Sequence, residues 1–307
     1  MRNPDSPVAV VIVNWNGAHD TLDVLADLDG IEGPEIRRIV VDNGSSDDSV
    51  ARLRRERPDI EVIETGRNLG FAYGNLVGIR HALADPAYDW VLLINNDVEV
   101  DRGFLRPLLE ACGDPGVAAS GPKIYFHRPS DFIWAAGGRL RVRETVTREL
   151  GSKQPDGPRW SVAGDVTYLT TCCLLVPRDA FEKVGLFDPL YFIGVEDADW
   201  SRRAQDLGYR LRYVPESRIW HKVATSTGGS YTPTKTFHTG RSNALYARRH
   251  LSRLGLLGFL AANAAALPAA FARESLRGNA RAVLSKARGL WRGLRDPLSD
   301  PPPLAEE

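Results

Sequence analysis

Acidic side chains that could bind a metal ion stand directly after an apolar run in this sequence. The run Trp90-Val-Leu-Leu-Ile is followed by Asn-Asn-Asp97-Val-Glu99. Such a run is typical of a strand covered on both faces, and open α/β sheets bind ligands at the carboxyl ends of their strands. Because side chains alternate along an extended chain, Asp97 and Glu99 are expected to point to one side. Their oxygens suit Mg²⁺ held together with phosphate oxygens, although a strand end that merely becomes solvated explains the same residues.

A second acidic group, Glu196-Asp197-Ala-Asp199, precedes a segment with helical spacing. The dipole of a helix favours ionised carboxyl groups at its N-terminus, so Glu196 and Asp197 are candidate bases that stay deprotonated at neutral pH. Asp199 and Arg203 are four residues apart and are expected to form an ordinary surface ion pair. The orientation of this helix is expected to be fixed by a buried stripe of Trp200, Ala204 and Leu207.

His221 ends another short apolar segment, Ile219-Trp-His221. Imidazole is a common metal ligand, whereas a lone histidine is also frequently structural or at the surface, and both interpretations are open here. A Ser/Thr/Gly-rich stretch over residues 225–234 follows and is a candidate lid over a substrate.

Alternating strand and helix patterns must position these groups, which predicts an α/β fold. The first strand, Val8-Ala-Val-Val-Ile-Val13, ends at Asn14, and the second, Arg38-Ile-Val-Val41, ends at Asp42. An aspartate at the end of the second strand is well placed to accept hydrogen bonds from a nucleoside, although it also suits a simple turn. The first turn lacks the GxGxxG pattern, which argues against a dinucleotide-binding domain.

Small and amide residues open the predicted helix that runs to about residue 84. The segment Asn68-Leu-Gly70-Phe-Ala-Tyr-Gly74-Asn75 would let the backbone approach a ligand and offers amide donors near the helix start. Close packing of the helix against a neighbour explains the glycines equally well.

The composition is that of an ordinary globular protein. Of the 307 residues, 43% are hydrophobic and 25% charged, and the formal net charge of zero gives no reason to expect nucleic acid as a partner. The three cysteines, Cys112, Cys172 and Cys173, have no CxxC spacing, which argues against a disulfide scaffold and a zinc site and fits a reducing compartment. The first residues do not have the pattern of a signal peptide, so a cytoplasmic protein is expected.

The C-terminal part predicts a helical appendage. Residues 254–272 lack charge and are a borderline membrane span, weakened by Asn263 and Pro268. Residues 273–295 are rich in arginine, with Glu274 as the one acid, and predict a basic amphipathic helix for the surface of an anionic membrane. A helix packed on the catalytic domain with a solvated basic face is the alternative. The expected apolar face consists of Leu276, Val283, Leu284, Leu290, Trp291 and Leu294.

Over residues 8–250 the chain resembles an inverting glycosyltransferase of family 2 with the GT-A fold, and most of all its rhamnosyltransferase-like members. The resemblance rests on five motifs in family order. They are Val-Ile-Val-Asn-Trp-Asn-Gly (11–17), Val-Asp-Asn-Gly-Ser-Ser-Asp (41–47), Asn-Leu-Gly-Phe-Ala-Tyr-Gly-Asn (68–75), Asn-Asn-Asp (95–97) and Glu-Asp-Ala-Asp-Trp (196–200).

The resemblance implies a Rossmann-like mixed sheet flanked by helices and a role for several residues. It implies that Asp42 contacts the nucleobase, that Asp97 and His221 hold Mg²⁺ or Mn²⁺ at the donor diphosphate, and that Asp197 is the base. The family's DXD signature appears here as Asn95-Asn96-Asp97, so only its last carboxylate remains. The implied donor-binding residues are Asn14, Asp42, Asn68, Gly70, Asn75 and Asn96; Glu99, Glu196, Asp199 and Arg241 are further candidates without an assigned role.

These observations predict a catalytic domain over residues 1–250, a helical membrane-associating segment over 251–295 and a disordered tail over 296–307. The expected reaction transfers a sugar to a glycan or lipid-linked acceptor in cell-envelope polysaccharide synthesis. The sugar expected first is rhamnose, from dTDP-rhamnose. UDP-linked hexoses are alternative donors, and a homodimer attached to the inner face of the cell membrane is compatible with the sequence. A nucleotidyltransferase and an inactive nucleotide-sugar-binding module are the competing functions.

Overall fold

The computed structural model describes residues 1–143, 145–223 and 232–302. Within them, eleven strands form one mixed sheet whose main path has the order β10-β7-β6-β12-β4-β1-β2-β3, and β5, β11 and β13 join it at β6 and β13. Most of the predicted lid, residues 225–234, falls outside the described residues. The strands are β1 (Val8–Asn14), β2 (Ile36–Asp42), β3 (Glu61–Glu64), β4 (Trp90–Asn95), β5 (Val98–Val100), β6 (Val117–Phe126), β7 (Phe132–Ala136), β8 (Gly138–Leu140), β9 (Thr147–Glu149), β10 (Gln154–Pro155), β11 (Gly164–Val166), β12 (Cys173–Pro177) and β13 (Arg210–His221).

Helices cover both faces of this sheet and follow it at the C-terminus. They are α1 (Ala18–Asp29), α2 (Ser49–Glu56), α3 (Phe71–Ala84), α4 (Leu105–Cys112), α5 (Arg178–Val184), α6 (Glu196–Asp206), α7 (Pro233–His250), α8 (Arg253–Ser275) and α9 (Ala280–Gly293). The predicted α/β class and the C-terminal helices are confirmed.

The continuous apolar strands are buried on both faces, as their composition predicts. In β1, Val8, Val10 and Ile12 join one hydrophobic cluster, while Ala9 and Val11 join the cluster on the other face. Strands β3, β2, β1 and β4 are parallel neighbours, so their carboxyl ends lie at one edge of the sheet. Asn14, Asp42 and the residues after Asn95 are therefore brought to the same edge.

Two local expectations differ from the structure. The predicted strand over residues 168–176 begins only at Cys173. Before it, Tyr168 and Thr171 donate hydrogen bonds to Asp197, and Tyr168 forms only an isolated bridge with Gly138. Trp200 and Ala204 are buried as predicted, but Leu207 is 58% exposed, because α6 ends one residue earlier and Leu207 follows its last turn.

The arginine-rich segment is two helices rather than one. α8 ends at Ser275, and α9 starts after Gly278, whose φ of +77° reverses the chain. Val283 and Leu290 are buried, whereas Leu276, Leu284 and Trp291 are 91%, 49% and 58% exposed. The predicted single apolar face is therefore wrong, since positions 284 and 291 are rotated away from positions 283 and 290 on the helix.

α9 packs very closely on α7. A Cβ atom on Gly289 would lie 1.9 Å from the carbonyl oxygen of Phe237, so only glycine permits this approach. Residues 296–302, which we expected to be disordered, also contact the protein: Asp296 pairs with Arg241, and the amide of Leu186 donates to the carbonyl of Pro302. Residues 303–307 lie outside the described part of the tail.

Candidate functional site

The ends of β1 and β2 are joined by buried polar side chains. The amide of Asn14 donates a hydrogen bond to Oδ2 of Asp42 at 2.8 Å. Ser45 donates to the same carboxylate twice, from its backbone amide to Oδ1 at 2.9 Å and from its hydroxyl to Oδ2 at 2.6 Å. Asp42 is only 2% exposed, so its carboxylate is oriented by these donors at the opening after the strand.

A hydrogen-bonded row continues from Asn14 to the end of β4. The hydroxyl of Thr21 donates to Oδ1 of Asn14 at 2.8 Å, and the amide of Asn96 donates to the hydroxyl of Thr21 at 3.1 Å. The row Asp42, Asn14, Thr21 and Asn96 therefore spans three strand ends. Sequence analysis missed Thr21; its signal is a polar residue that is fully buried in the first turn of α1.

Asp97 and His221 lie side by side, although they are far apart in the sequence. Nε2 of His221 is 3.2 Å from Oδ1 of Asp97. Burial alone would raise the pKa of Asp97, but the hydrogen bond and charge of His221 outweigh it and the pKa is lowered. The edge of the His221 ring packs against Trp134, with ring centroids 4.7 Å apart. The Nδ1 atom of His221 is buried and has no hydrogen-bond partner among the described residues.

Asp197 stands at the start of α6 and is held from three sides. The hydroxyl of Tyr168 and the backbone amide of Thr171 donate to Oδ2 at 2.9 Å and 3.2 Å, and the amide of Ala198 donates to Oδ1 at 2.9 Å. Burial raises the pKa of Asp197 to about 6, against the lowering effect of these donors. The helix N-terminus therefore does not keep this pKa at its usual value, yet the carboxylate is still mostly ionised at neutral pH.

Glu196, next to this carboxylate, holds its proton more strongly. It is 3% exposed, and its Oε2 atom is buried without a hydrogen-bond partner in the described parts of the chain. Burial, and secondly the charge of Asp197, hold the pKa of Glu196 well above its usual value. Of the two predicted bases, Asp197 thus ionises at the lower pH.

Cys172 connects the Asp97 and Asp197 groups. Its carbonyl accepts a hydrogen bond from the amide of Asn95 at 3.0 Å. Burial raises the pKa of its thiol strongly, and the charges of both Asp97 and Asp197 raise it further. The adjacent residues Thr171 and Cys172 thus contact Asp197 and the end of β4, respectively, which brings both carboxylates next to this segment. No pattern in the sequence singles out Cys172 for this position.

The match to a known family agrees with this arrangement. A model described as "Glycosyl transferase family 2" matches residues 9–185, which is more than half of the chain. The chain belongs to glycosyltransferase family 2. The predicted resemblance and the GT-A fold are thereby confirmed.

Two relatives of this glycosyltransferase transfer rhamnose according to their names. It is 29% identical over 82% of its length, and over 88% of the relative, to "N-acetylglucosaminyl-diphospho-decaprenol L-rhamnosyltransferase" of Mycobacterium tuberculosis. It is 22% identical over 71% of its length to "dTDP-rhamnosyl transferase RfbF" of Shigella flexneri, of which it covers 70%. Among solved structures, the mannosyltransferase PcManGT of Pyrobaculum calidifontis, in complex with GDP-Man and Mn²⁺, superposes with a TM-score of 0.60 at 18% identity, covering 95% of this chain and 89% of that one.

The predicted donor-binding residues at the start of α3 make mainly local contacts in this glycosyltransferase. The carbonyl oxygen of the Asn68 side chain accepts from the amide of Gly70 at 2.9 Å, and the side-chain amide of Asn75 donates to the carbonyl of Phe71 at 3.0 Å. Gly70 has a φ of +96°, and a Cβ atom there would lie 2.4 Å from the carbonyl oxygen of Phe192. Close packing thus accounts for Gly70, and a role of these three residues in donor binding stays a prediction.

Glu99 does not join Asp97. Its carboxylate is 52% exposed and lies 3.3 Å from His127, in an open cleft of about 630 Å³ that Trp220 also lines. The expectation that Glu99 and Asp97 share one side is wrong, because Asp97 precedes β5 and is held by His221, while Glu99 stands opposite Trp220 in the strand pairing.

Asp199 and Arg241 have structural partners. Asp199 is fully buried and contacts Arg203, Arg249 and His250 at 2.9, 3.2 and 2.7 Å, so the expected surface pair with Arg203 is an interior network. Arg241 donates to the carbonyl of Leu190 at 2.6 Å besides its pair with Asp296. Both sets of contacts join α7 to the elements around α6.

Proposed function

We propose that this family 2 enzyme is an inverting glycosyltransferase that moves a sugar from a nucleoside-diphosphate donor to a hydroxyl group. The observation that carries the proposal is that the Thr171–Cys172 segment contacts the carboxylate of Asp197 on one side and the end of β4, next to the Asp97–His221 pair, on the other. One carboxylate that deprotonates the acceptor, opposite a group that accepts the leaving diphosphate, is the arrangement required for a single displacement.

Asp197 is proposed as the base. Each carboxylate oxygen has two lone-pair positions. Oδ2 of Asp197 already accepts from Tyr168 and Thr171, whereas Oδ1 accepts only from Ala198 in the described structure. Oδ1 can therefore accept one more hydrogen bond, from the acceptor hydroxyl, and take its proton. A well-placed base of this kind contributes about 10²- to 10⁴-fold to the rate.

Asp97 and His221 are proposed to hold a divalent cation. No group of three or more acidic, histidine or cysteine side chains that could bind a metal occurs in residues 1–143, 145–223 and 232–302. A carboxylate and an imidazole in contact nevertheless fit Mg²⁺ or Mn²⁺, because such ions take few protein ligands and complete their shell with diphosphate oxygens and water. When bound, the cation stabilises the negative charge of the departing diphosphate.

Asp42 is proposed to bind the nucleobase. The donors Asn14 and Ser45 fix its carboxylate at the end of β2, where the ring N–H of a uracil or thymine base could donate to it. The proposed donor is dTDP-rhamnose, from which rhamnose is transferred. The names of two relatives support this sugar. A glycan or lipid-linked acceptor on the cytoplasmic side is the matching proposal for the second substrate.

The test is to measure the release of nucleoside diphosphate. We expect release from a nucleotide sugar only when a donor and an acceptor are both present. Pyrophosphate release from a nucleoside triphosphate would instead indicate a nucleotidyltransferase, and donor binding without turnover would indicate an inactive module. Before this assay, the donor is identified from a panel of nucleotide sugars, ranked by how far each raises the unfolding temperature of the protein.

A further inference from the structure

The long helix α8 turns an uncharged face away from the rest of the protein. We propose that this face docks on an anionic membrane surface, with α8 lying in the plane of the lipid headgroups. This inference goes beyond the transfer reaction and does not depend on it. The sequence predicts a membrane-associating segment over residues 251–295, with residues 273–295 as its basic amphipathic part, and the inference here assigns the contact to the outer face of α8 within that segment.

The inner side of α8 is occupied by the protein itself. Phe259 is 1% exposed and belongs to a cluster with Ala244 and Ala247 of α7 and Leu290 of α9. Asn263 is also buried, and its amide donates to the carbonyl of Phe259 at 3.0 Å. These contacts fix which side of α8 faces outward.

The outer side of α8 is apolar and exposed. Leu254, Leu257 and Phe271 are 81%, 61% and 41% exposed, and only small or apolar residues lie between them on this side. The helix is long and apolar enough to cross a membrane. Only 11% of its most apolar 18-residue stretch is buried in the protein. A continuous apolar surface of this kind is uncommon on soluble monomers and generally marks a binding face.

Basic side chains surround this face and identify its partner. Arg253 begins α8, and Arg273 and Arg277 lie at and just after its C-terminal end, both about 65% exposed. Both pair with Glu274, so these two arginines leave one net positive charge at this end. α9 and the turn after it add an exposed stripe that mixes apolar and basic residues: Arg281, Leu284, Arg288, Trp291 and Arg292 in the helix, and Arg295 in the turn. Apolar side chains between arginines, with a tryptophan, match the boundary of an anionic bilayer.

A second copy of the chain fits this face less well. In a symmetric dimer each copy would present the same surface to the other, so the arginine-rich ends would lie near like charges. Anionic headgroups neutralise those charges instead.

In-plane docking also fits better than spanning. At 1.5 Å per residue, a helix of 23 residues is about 34 Å long, enough for a hydrocarbon core of about 30 Å. Spanning would however remove Phe259 from α7 and expose Ala244, Ala247 and Leu290. Docking with the outer face leaves this cluster intact.

The full-length protein should sediment with vesicles of phosphatidylcholine and phosphatidylglycerol, and much less with phosphatidylcholine alone. Leu257→Asp should weaken binding to the anionic vesicles by at least about tenfold, because it places a charge in the apolar face. Val162→Asp is the matched control: it changes another exposed apolar residue, 70% exposed, and should leave vesicle binding unchanged. Arg281→Ser and Arg288→Ser should each reduce binding to anionic vesicles about fivefold.

A fluorescent label tests the position of the helix directly. The native thiols of Cys112, Cys172 and Cys173 are buried, so an environment-sensitive dye will react with an introduced cysteine. A dye on Leu257→Cys should shift to the blue with anionic vesicles, and a dye on Val162→Cys should not.

Two results would overturn the proposal. One is vesicle binding that Leu257→Asp leaves unchanged. The other is a dimer in light scattering that Leu257→Asp dissociates, without vesicle binding by the original protein; a second copy would then cover the face. Thermal unfolding of each variant verifies that it is folded, and since no sugar donor is used, failure of the proposed transfer reaction does not affect the result.

Discussion

The hydroxyl of Tyr168 donates a hydrogen bond to Oδ2 of Asp197 at 2.9 Å, deep in the protein. This contact has two effects on the proposed base. It fixes the carboxylate so that Oδ1 remains available to an acceptor, and it lowers the pKa of Asp197 while burial raises that pKa to about 6. Tyr168 is therefore a positioning residue that also adjusts the pH at which the base is ionised.

The activity should depend on pH through Asp197. Because the base must be ionised, kcat/KM should decline as the pH falls below about 6, by about tenfold per unit. Tyr168→Phe removes a donor that stabilises the ionised form, so the pKa should rise and the decline should begin at a higher pH. Tyr213→Phe removes a hydroxyl that binds the carbonyl of Trp160 and serves as the control with an unshifted profile. An unchanged pH profile in Tyr168→Phe would exclude this role.

Asp197→Asn and Glu196→Gln should have very different effects on transfer. Asn cannot take a proton, so Asp197→Asn should reduce kcat by about 10²- to 10⁴-fold while the donor still binds. Burial, and secondly the charge of Asp197, raise the pKa of Glu196 and favour its neutral form, which glutamine resembles, so Glu196→Gln should retain most of the activity. Single-turnover rates and donor-induced thermal shifts measure the two quantities. Equal loss of donor binding and transfer in Asp197→Asn would contradict its assignment as the base.

Metal dependence should follow Asp97 and His221. We expect a chelator to remove activity and added Mn²⁺ or Mg²⁺ to restore it. Asp97→Asn and His221→Ala should each raise the metal concentration for half-maximal activity at least about tenfold, since each removes one of two protein ligands. Glu99→Gln is the matched control, because Glu99 lies beside His127 and should not affect the metal requirement. A metal requirement that is the same in all four proteins would rule out these ligands.

Asp199 should matter for stability rather than for chemistry. Removing the buried carboxylate leaves Arg203 and His250 without their anionic partner, while Arg249 keeps its pair with Asp188. Asp199→Ala should therefore lower the free energy of unfolding by about 3–5 kcal/mol. Asp206→Ala, which removes a half-exposed pair with Arg202, should cost less than about 1 kcal/mol. Denaturant unfolding measures both values. A folded Asp199→Ala of unchanged stability that had lost its activity would show that Asp199 belongs to the chemistry instead.

The stabilisation by Asp199 should also depend on pH. Burial alone would raise its pKa, but His250, Arg203 and Arg249 together lower it below the usual value. The contribution to stability is therefore present above the pKa of the unfolded carboxyl group and is lost as the pH falls through the lower, folded pKa. The measurement compares the free energy of unfolding of the original protein and of Asp199→Asn from neutral to acidic pH. The difference between the two proteins should become smaller as the pH falls.

The sequence by itself determined the fold class and the ends of the main strands. The run Val8-Ala-Val-Val-Ile-Val and the run before Asn95 are apolar on both faces, and only a sheet covered by helices on both sides can bury them. Polar residues that interrupt such runs must lie at the sheet edge, which is why Asn14, Asp42 and Asp97 could be named in advance. Local composition suffices because strand burial is a property of consecutive residues.

Only the tertiary structure decided which groups meet and which protonation state they hold. The contact of Asp97 with His221 and that of Asp197 with Tyr168 join distant segments whose spacing in the sequence carries no signal. The pKa of Asp197 is set by burial under other elements rather than by its own helix, and Asp199 became interior because α7 brings Arg249 and His250 to it. Likewise, which side of α8 stays exposed depends on α7 and α9 covering the other side, since a uniformly apolar helix does not itself specify its buried face.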